Sequence, residues 1–203
     1  MKKVIPFVLA AGALTLMLAQ QGSEPAPGTP QFTSNNELVA PSDYREWIFL
    51  SSGLGMTYGP IGEANGSRPL MFDNVFVAPA AYRAFKETGK WPEKTMFVLE
   101  ARSSISKGSI NNGGHYQSDR VAFEAEVKDS SRFPGNGWAF FALGNGKTAK
   151  MIPTSASCYT CHPDKGAVDN TFVQFYPTLL PIAKSKGTLT QAYLQASASA
   201  EAH

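Results

Sequence analysis

Residues 157–163 read S-C-Y-T-C-H-P and contain the only two cysteines of the 203-residue chain. Cys158 and Cys161 stand three positions apart, and His162 follows the second directly. Whatever fold forms must present two thiols and an imidazole from one short turn. One chemistry uses all three groups. Each thiol forms a thioether to a haem vinyl group, and the adjacent imidazole reaches the iron from the same side. The cofactor is then tethered and oriented, with its proximal ligand built into the attachment turn. That turn is expected to continue as a short helix through C-Y-T-C-H-P-D-K. Three other uses are open. A thioredoxin-type dithiol normally sits at a helix start after a strand, and His162 would be incidental to it. A zinc site needs about four ligands, and the other histidines are His115 and His203. A plain disulfide needs no histidine. The pattern favours a single haem c, with Cys158 and Cys161 as its attachment residues and His162 as the iron ligand.

The N-terminus suits the oxidising compartment in which such motifs are loaded. Lys2 and Lys3 precede an uncharged, mostly apolar run over 4–19. This is a signal-peptide pattern, expected at 1–21, and it points to a periplasmic or otherwise exported protein. No clean A-x-A precedes Gln20, so an uncleaved anchor is the alternative. The run is shorter than the ~20 residues of a membrane-spanning helix. No cysteine ends it, which argues against a lipoprotein. Without Lys2 and Lys3 the basic count falls from 18 to 16, against 16 acids. A near-neutral chain without basic runs gives no nucleic-acid footprint. Apolar residues at 43% and charged residues at 17% predict a folded globular domain.

The Pro/Gly-rich stretch over 22–36 reads as a flexible leader, 37–187 as one domain, and 188–203 as a disordered tail. Strands are expected at 47–51, 72–77, 95–102, 121–127 and 138–143, where β-branched and aromatic residues concentrate. Within 121–127, Val121, Phe123, Ala125 and Val127 share one face, which leaves Glu124 and Glu126 solvated. One helix is expected over 79–88, opening on Pro79 and stopping at Gly89. A second is expected from Val168, capped by Asp169 and Asn170, with Phe172, Phe175 and Tyr176 on one side until Pro177 breaks it. The fold class is α+β, a mostly antiparallel sheet flanked by helices. An electron-transfer cytochrome would need a sixth iron ligand, often methionine. Met56, Met71, Met96 and Met151 are available, with Met96 and Met151 read as core fillers.

Five runs, in order, carry a resemblance. They are Y-R-E-W (44–47), N-V-F-V-A-P-A-A-Y (74–82) with F-K-E-T-G-K-W (85–91), V-K-D-S-S-R-F (127–133) with G-W-A-F-F (137–141), C-Y-T-C-H (158–162), and F-V-Q-F-Y-P-T-L (172–179). Over about 37–185 the chain resembles the cytochrome P460 family. The resemblance implies a β-rich fold, a homodimer, and a covalent haem c with His162 as axial ligand. Members named cytochrome P460 oxidise hydroxylamine or nitric oxide and carry a lysine cross-linked to the haem. The related cytochromes c′-beta lack the cross-link and bind NO and CO in an apolar distal pocket.

Gapless matching from N-V-F-V-A-P places the cross-linking lysine at Leu99, which has no amine. A family arginine falls at Asp73. If Leu99 faces the haem, period two brings Phe97 and Ala101 to the same face and makes an apolar wall. The other reading of Phe97 and Leu99 is ordinary core. Asp73 is a candidate for proton transfer, or a turn cap. His115 is expected on an exposed loop. The expected function is binding of a small gaseous or nitrogenous ligand such as NO at a five-coordinate haem. The alternatives are an oxidoreductase acting on hydroxylamine or NO, and an electron-transfer cytochrome with a redox partner protein.

Overall fold

The computed structural model describes residues 26–57 and 70–201. The expected signal peptide and His203 lie outside the described residues. The strands are β1 (Leu38–Val39), β2 (Ile48–Leu54), β3 (Met71–Val77), β4 (Met96–Ile105), β5 (Tyr116–Lys128), β6 (Trp138–Ala142) and β7 (Thr148–Ala149), and β2 to β6 overlap the five runs expected as strands. Strands β2 to β6 form one sheet in chain order, each antiparallel to its neighbours, and β1 pairs with β7. The helices are α1 (Pro79–Thr88), α2 (Cys158–Lys165), α3 (Leu180–Lys186) and α4 (Gln191–Glu201). The class is therefore α+β, as expected.

Cross-strand partners point to the same side of a sheet, so the register defines two faces. One carries Phe76, Val98, Ala125 and Phe141 in a row. It is covered by the N-terminal segment, where Tyr44 meets Phe76 at 5.6 Å and Phe123 at 4.8 Å. The other carries Val77, Phe97, Glu126 and Phe140 in a row. Trp91, Trp138 and Tyr176 pack around Phe97 on that side. Both faces of β4 and β5 are therefore covered at this end of the sheet. Full burial of one such aromatic side chain contributes ~1.5–3 kcal/mol.

Helix α1 has the bounds its sequence signals give. Pro79 occupies the first turn, where its missing N–H is not needed. Ala81 and Phe85, four residues apart, are its buried face. Gly89 ends it at φ 72°, donating its N–H to the Phe85 carbonyl at 2.7 Å.

The helix expected from Val168 does not form. Val168 and Thr171 bridge as a tight antiparallel pair, with Asp169 at φ 47° and Asn170 at φ 64° between them. Asp and Asn tolerate this left-handed region and favour a two-residue turn with both central φ positive. Only a short 3₁₀ turn, Val173–Phe175, follows. The apolar spacing reflects packing: Tyr176 is buried, while Phe175 is 44% exposed.

The residues expected as a loose leader include Phe32, whose ring lies 6.1 Å from Phe133 and 6.0 Å from Phe141. One apolar ring ties a Pro/Gly-rich run to the core. The residues expected as a tail include α4. Thr190 Oγ1 accepts the Tyr193 N–H at 3.2 Å and donates to the Gly166 carbonyl at 2.8 Å. The alanines of α4 are strong helix formers. Met96 is a core residue at 2% exposure, whereas Met151, also read as core, is 40% exposed.

Candidate functional site

Helix α2 begins at Cys158, and Cys161 stands one turn later on the same side. Both are half-buried and unbridged. Burial pushes the Cys158 thiol up from its ordinary value, and the nearby Glu124 and Glu126 carboxylates act in the same direction. Pro163 follows the histidine and removes one donor from the helix ladder. The Gly166 N–H still closes on the His162 carbonyl at 2.8 Å.

The His162 ring is fixed from several directions. Phe140 and Phe172 each stand 4.5 Å away, centroid to centroid. Nδ1 lies 2.9 Å from the Asn170 carbonyl, a distance at which Nδ1–H donates and Nε2 is left for a ligand. Glu126 Oε1 is 3.3 Å from the same Nδ1. Burial alone would lower the His162 pKa, but Glu126 and the Asn170 carbonyl outweigh it and the net direction is upward.

The Asn170 carbonyl is held in place by the Val168–Thr171 turn. Asp169 forms an ion pair with Lys128 and accepts from Trp138 Nε1 at 3.4 Å. Lys128 Nζ also donates to the Trp91 carbonyl at 2.9 Å. Thr171 Oγ1 accepts from Trp91 Nε1 at 2.8 Å and donates to the Val168 carbonyl at 2.6 Å. Asn170→Ala is expected to destabilise by ~1–2 kcal/mol, the cost of a left-handed β-carbon, while Asn170→Gly is not. The backbone acceptor for His162 survives in both. Urea unfolding of the two variants side by side checks this.

The register places the expected wall residues on the face that carries the motif. The row under His162 is Val77, Phe97, Glu126, Phe140, and the next is Val75, Leu99, Glu124, Ala142. A third joins Asp73, Ala101 and Ala122. The candidates differ in surroundings. Phe97 is a core ring at 4% exposure, stacked among Trp91, Trp138 and Tyr176. Leu99 and Asp73 are half-buried at the open end. Burial raises the Asp73 carboxyl, and Glu124 adds to the shift. His115 is exposed, with Nδ1 3.4 Å from Ser104 Oγ.

Glu126 corrects the sequence reading most sharply. Expected in solvent, its side chain is 13% exposed, and Oε1 is buried without a hydrogen-bond partner. Burial pushes its carboxyl up, against the opposing pull of His162. Glu124, also expected in solvent, is exposed at the open end as read, although partial burial of its carboxyl still raises it. Around Glu126 both faces of β5 are covered, so a polar residue on the second face need not be solvated.

A protein-family model described as cytochrome P460 matches residues 41–173, from before β2 to just beyond the His162 turn. The chain belongs to the cytochrome P460 family. No curated protein matches the sequence. The P460 family implies a haem c cytochrome, and the residues present fit that group. Two unbridged thiols lie on one helical turn, and an imidazole has Nδ1 engaged and Nε2 available. Cys158, Cys161 and His162 are the residues that would hold it.

Proposed function

We propose that this P460-family protein is an exported mono-haem c cytochrome that binds small neutral ligands such as NO at a five-coordinate iron. Cys158 and Cys161 hold the haem, and Nε2 of His162 is its one protein ligand. The observation that carries the reading is the row beside the motif. There Leu99 stands half-buried between Val75 and Glu124 and offers an apolar side chain where an amine would be needed for a cross-link. Lys128 shares the face but is engaged by Asp169 and the Trp91 carbonyl. Met96 lies on the opposite face, paired with Val127. Met71 shares the site's face but is six residues from Val77, about 20 Å along the strand. The reading includes a homodimer and, for electron exchange, a redox partner protein.

Glu124 favours a second reading. It is the cross-strand partner of Leu99, and partial burial of its carboxyl raises it from the ordinary value. With Asp73 it would support an oxidoreductase acting on hydroxylamine or NO.

Optical spectra of the haem-loaded protein, ferric and ferrous, with added NO and then with hydroxylamine and an electron acceptor, separate the two. High-spin spectra, NO binding and no turnover support ligand binding. Sustained hydroxylamine oxidation supports the second reading. Leu99→Asp is expected to weaken NO binding by about tenfold, ~1.4 kcal/mol, because a carboxylate draws water into an apolar pocket. Equilibrium NO titration checks it.

A further inference from the structure

Glu126 lies in β5, cross-strand from Phe97 and Phe140, two buried aromatic residues. A buried carboxylate is costly unless something compensates it, and for packing alone an apolar residue of similar volume is at least as stable. The compensation here is incomplete. Oε1 has no hydrogen-bond partner, and the Nδ1 proton of His162 goes to the Asn170 carbonyl. Lys128, the cation one step along the same face, is engaged by Asp169. What Oε1 does have is the His162 imidazole, 3.3 Å away.

A carboxylate beside the outer nitrogen of a metal-bound imidazole raises the basicity of the inner one. When ionised, it also places negative charge near the metal, which stabilises the higher oxidation state. A neutral carbonyl such as that of Asn170 orients the ring but supplies only a dipole. The two groups near Nδ1 therefore differ in kind: the Asn170 carbonyl takes its hydrogen bond, and the Glu126 carboxyl lies 3.3 Å away as a source of charge.

We propose that Glu126 is a positioning residue for the axial histidine, tuning electron donation from Nε2 so that the ferric state is favoured. The proposal rests on His162 being the iron ligand. It goes beyond ligand binding, because it assigns to one side chain the oxidation state in which the site rests.

The test compares haem-loaded wild type with Glu126→Gln, Glu126→Leu and Glu124→Gln. The readouts are the midpoint potential from spectroelectrochemical titration and the ferrous iron–histidine stretch from resonance Raman. Glu126→Gln keeps volume and removes charge. It is expected to shift the ferric/ferrous equilibrium at least tenfold toward ferrous, 59 mV for a one-electron couple, and to lower the stretching frequency. Glu126→Leu is expected to shift in the same direction and supplies an apolar core variant if the amide folds poorly. Glu124→Gln removes a charge one row away and is expected to leave the stretch unchanged. An unchanged potential and stretch in both Glu126 variants overturns the proposal. So does an equal change in stretch from Glu124→Gln, which would make the effect one of general charge. Failure of the underlying reading looks different: His162→Gly would then leave the haem spectrum of the wild type intact.

Discussion

Replacing Cys158 and Cys161 together by serine is expected to reduce covalently bound haem from one per chain to none. A serine hydroxyl does not form the thioether, and these are the only cysteines in the chain. The measurement is the pyridine haemochrome of protein denatured and extracted with acidified acetone, which removes haem held by its iron ligand alone. Each single variant keeps one sulfur and is expected to retain covalent haem, with an α-band shifted by the remaining vinyl group. Haem surviving extraction in the double variant would mean a further covalent link, contradicting the reading of Leu99 as a residue that leaves the macrocycle free.

The second large effect lies outside the motif. Trp91→Ala is expected to cost ~3–5 kcal/mol, the range for deleting a buried aromatic side chain, out of a typical total of ~5–15 kcal/mol. Trp91 is 2% exposed, with Phe85 at 4.1 Å and Phe97 at 4.7 Å, centroid to centroid. Its indole N–H also reaches Thr171, so the loss extends to the turn that presents the Asn170 carbonyl to His162. Trp91→Phe keeps most of the packing and removes that hydrogen bond, for ~0.5–1.5 kcal/mol. Urea unfolding followed by tryptophan fluorescence gives the stability, and the ferric spectrum of the folded variants reports the ligand. A cost below about 1 kcal/mol for Trp91→Ala would contradict the buried placement of the ring.

These two predictions draw on different parts of what the sequence makes legible. The five strands of the sheet were readable because β-branched and aromatic residues concentrate in five separate runs. Helix α1 was readable because Pro79 and Gly89 mark both its ends. The attachment residues are local in sequence and carry their chemistry in their spacing. The proximal surroundings of His162 are not local. Glu126, Asn170 and Phe140 come from three separate segments, and only the register of β5 against β4 and β6 shows that Glu126 faces the motif. The turn at Asp169 and Asn170 has residues that suit either a helix cap or a left-handed hairpin turn. The choice was made by Trp91, Lys128 and Trp138, which hold the turn through side chains distant in the chain. The alanines of α4 gave no periodic signal at all, and Thr190 supplied the start.

The chain-order meander of β2 to β6 has a consequence for the sequence of folding events. Each strand pairs only with its neighbours in the chain, so the sheet closes by short steps of low contact order, which form early and fast. The segment carrying the motif closes on the sheet through contacts such as Trp91 with Thr171, 80 positions apart. The thiols therefore sit on a segment whose contacts with the sheet carry the larger loop-closure cost. An assembly machinery that installs a cofactor needs a peptide it can still reach. Here the framework can be complete while that peptide is still accessible.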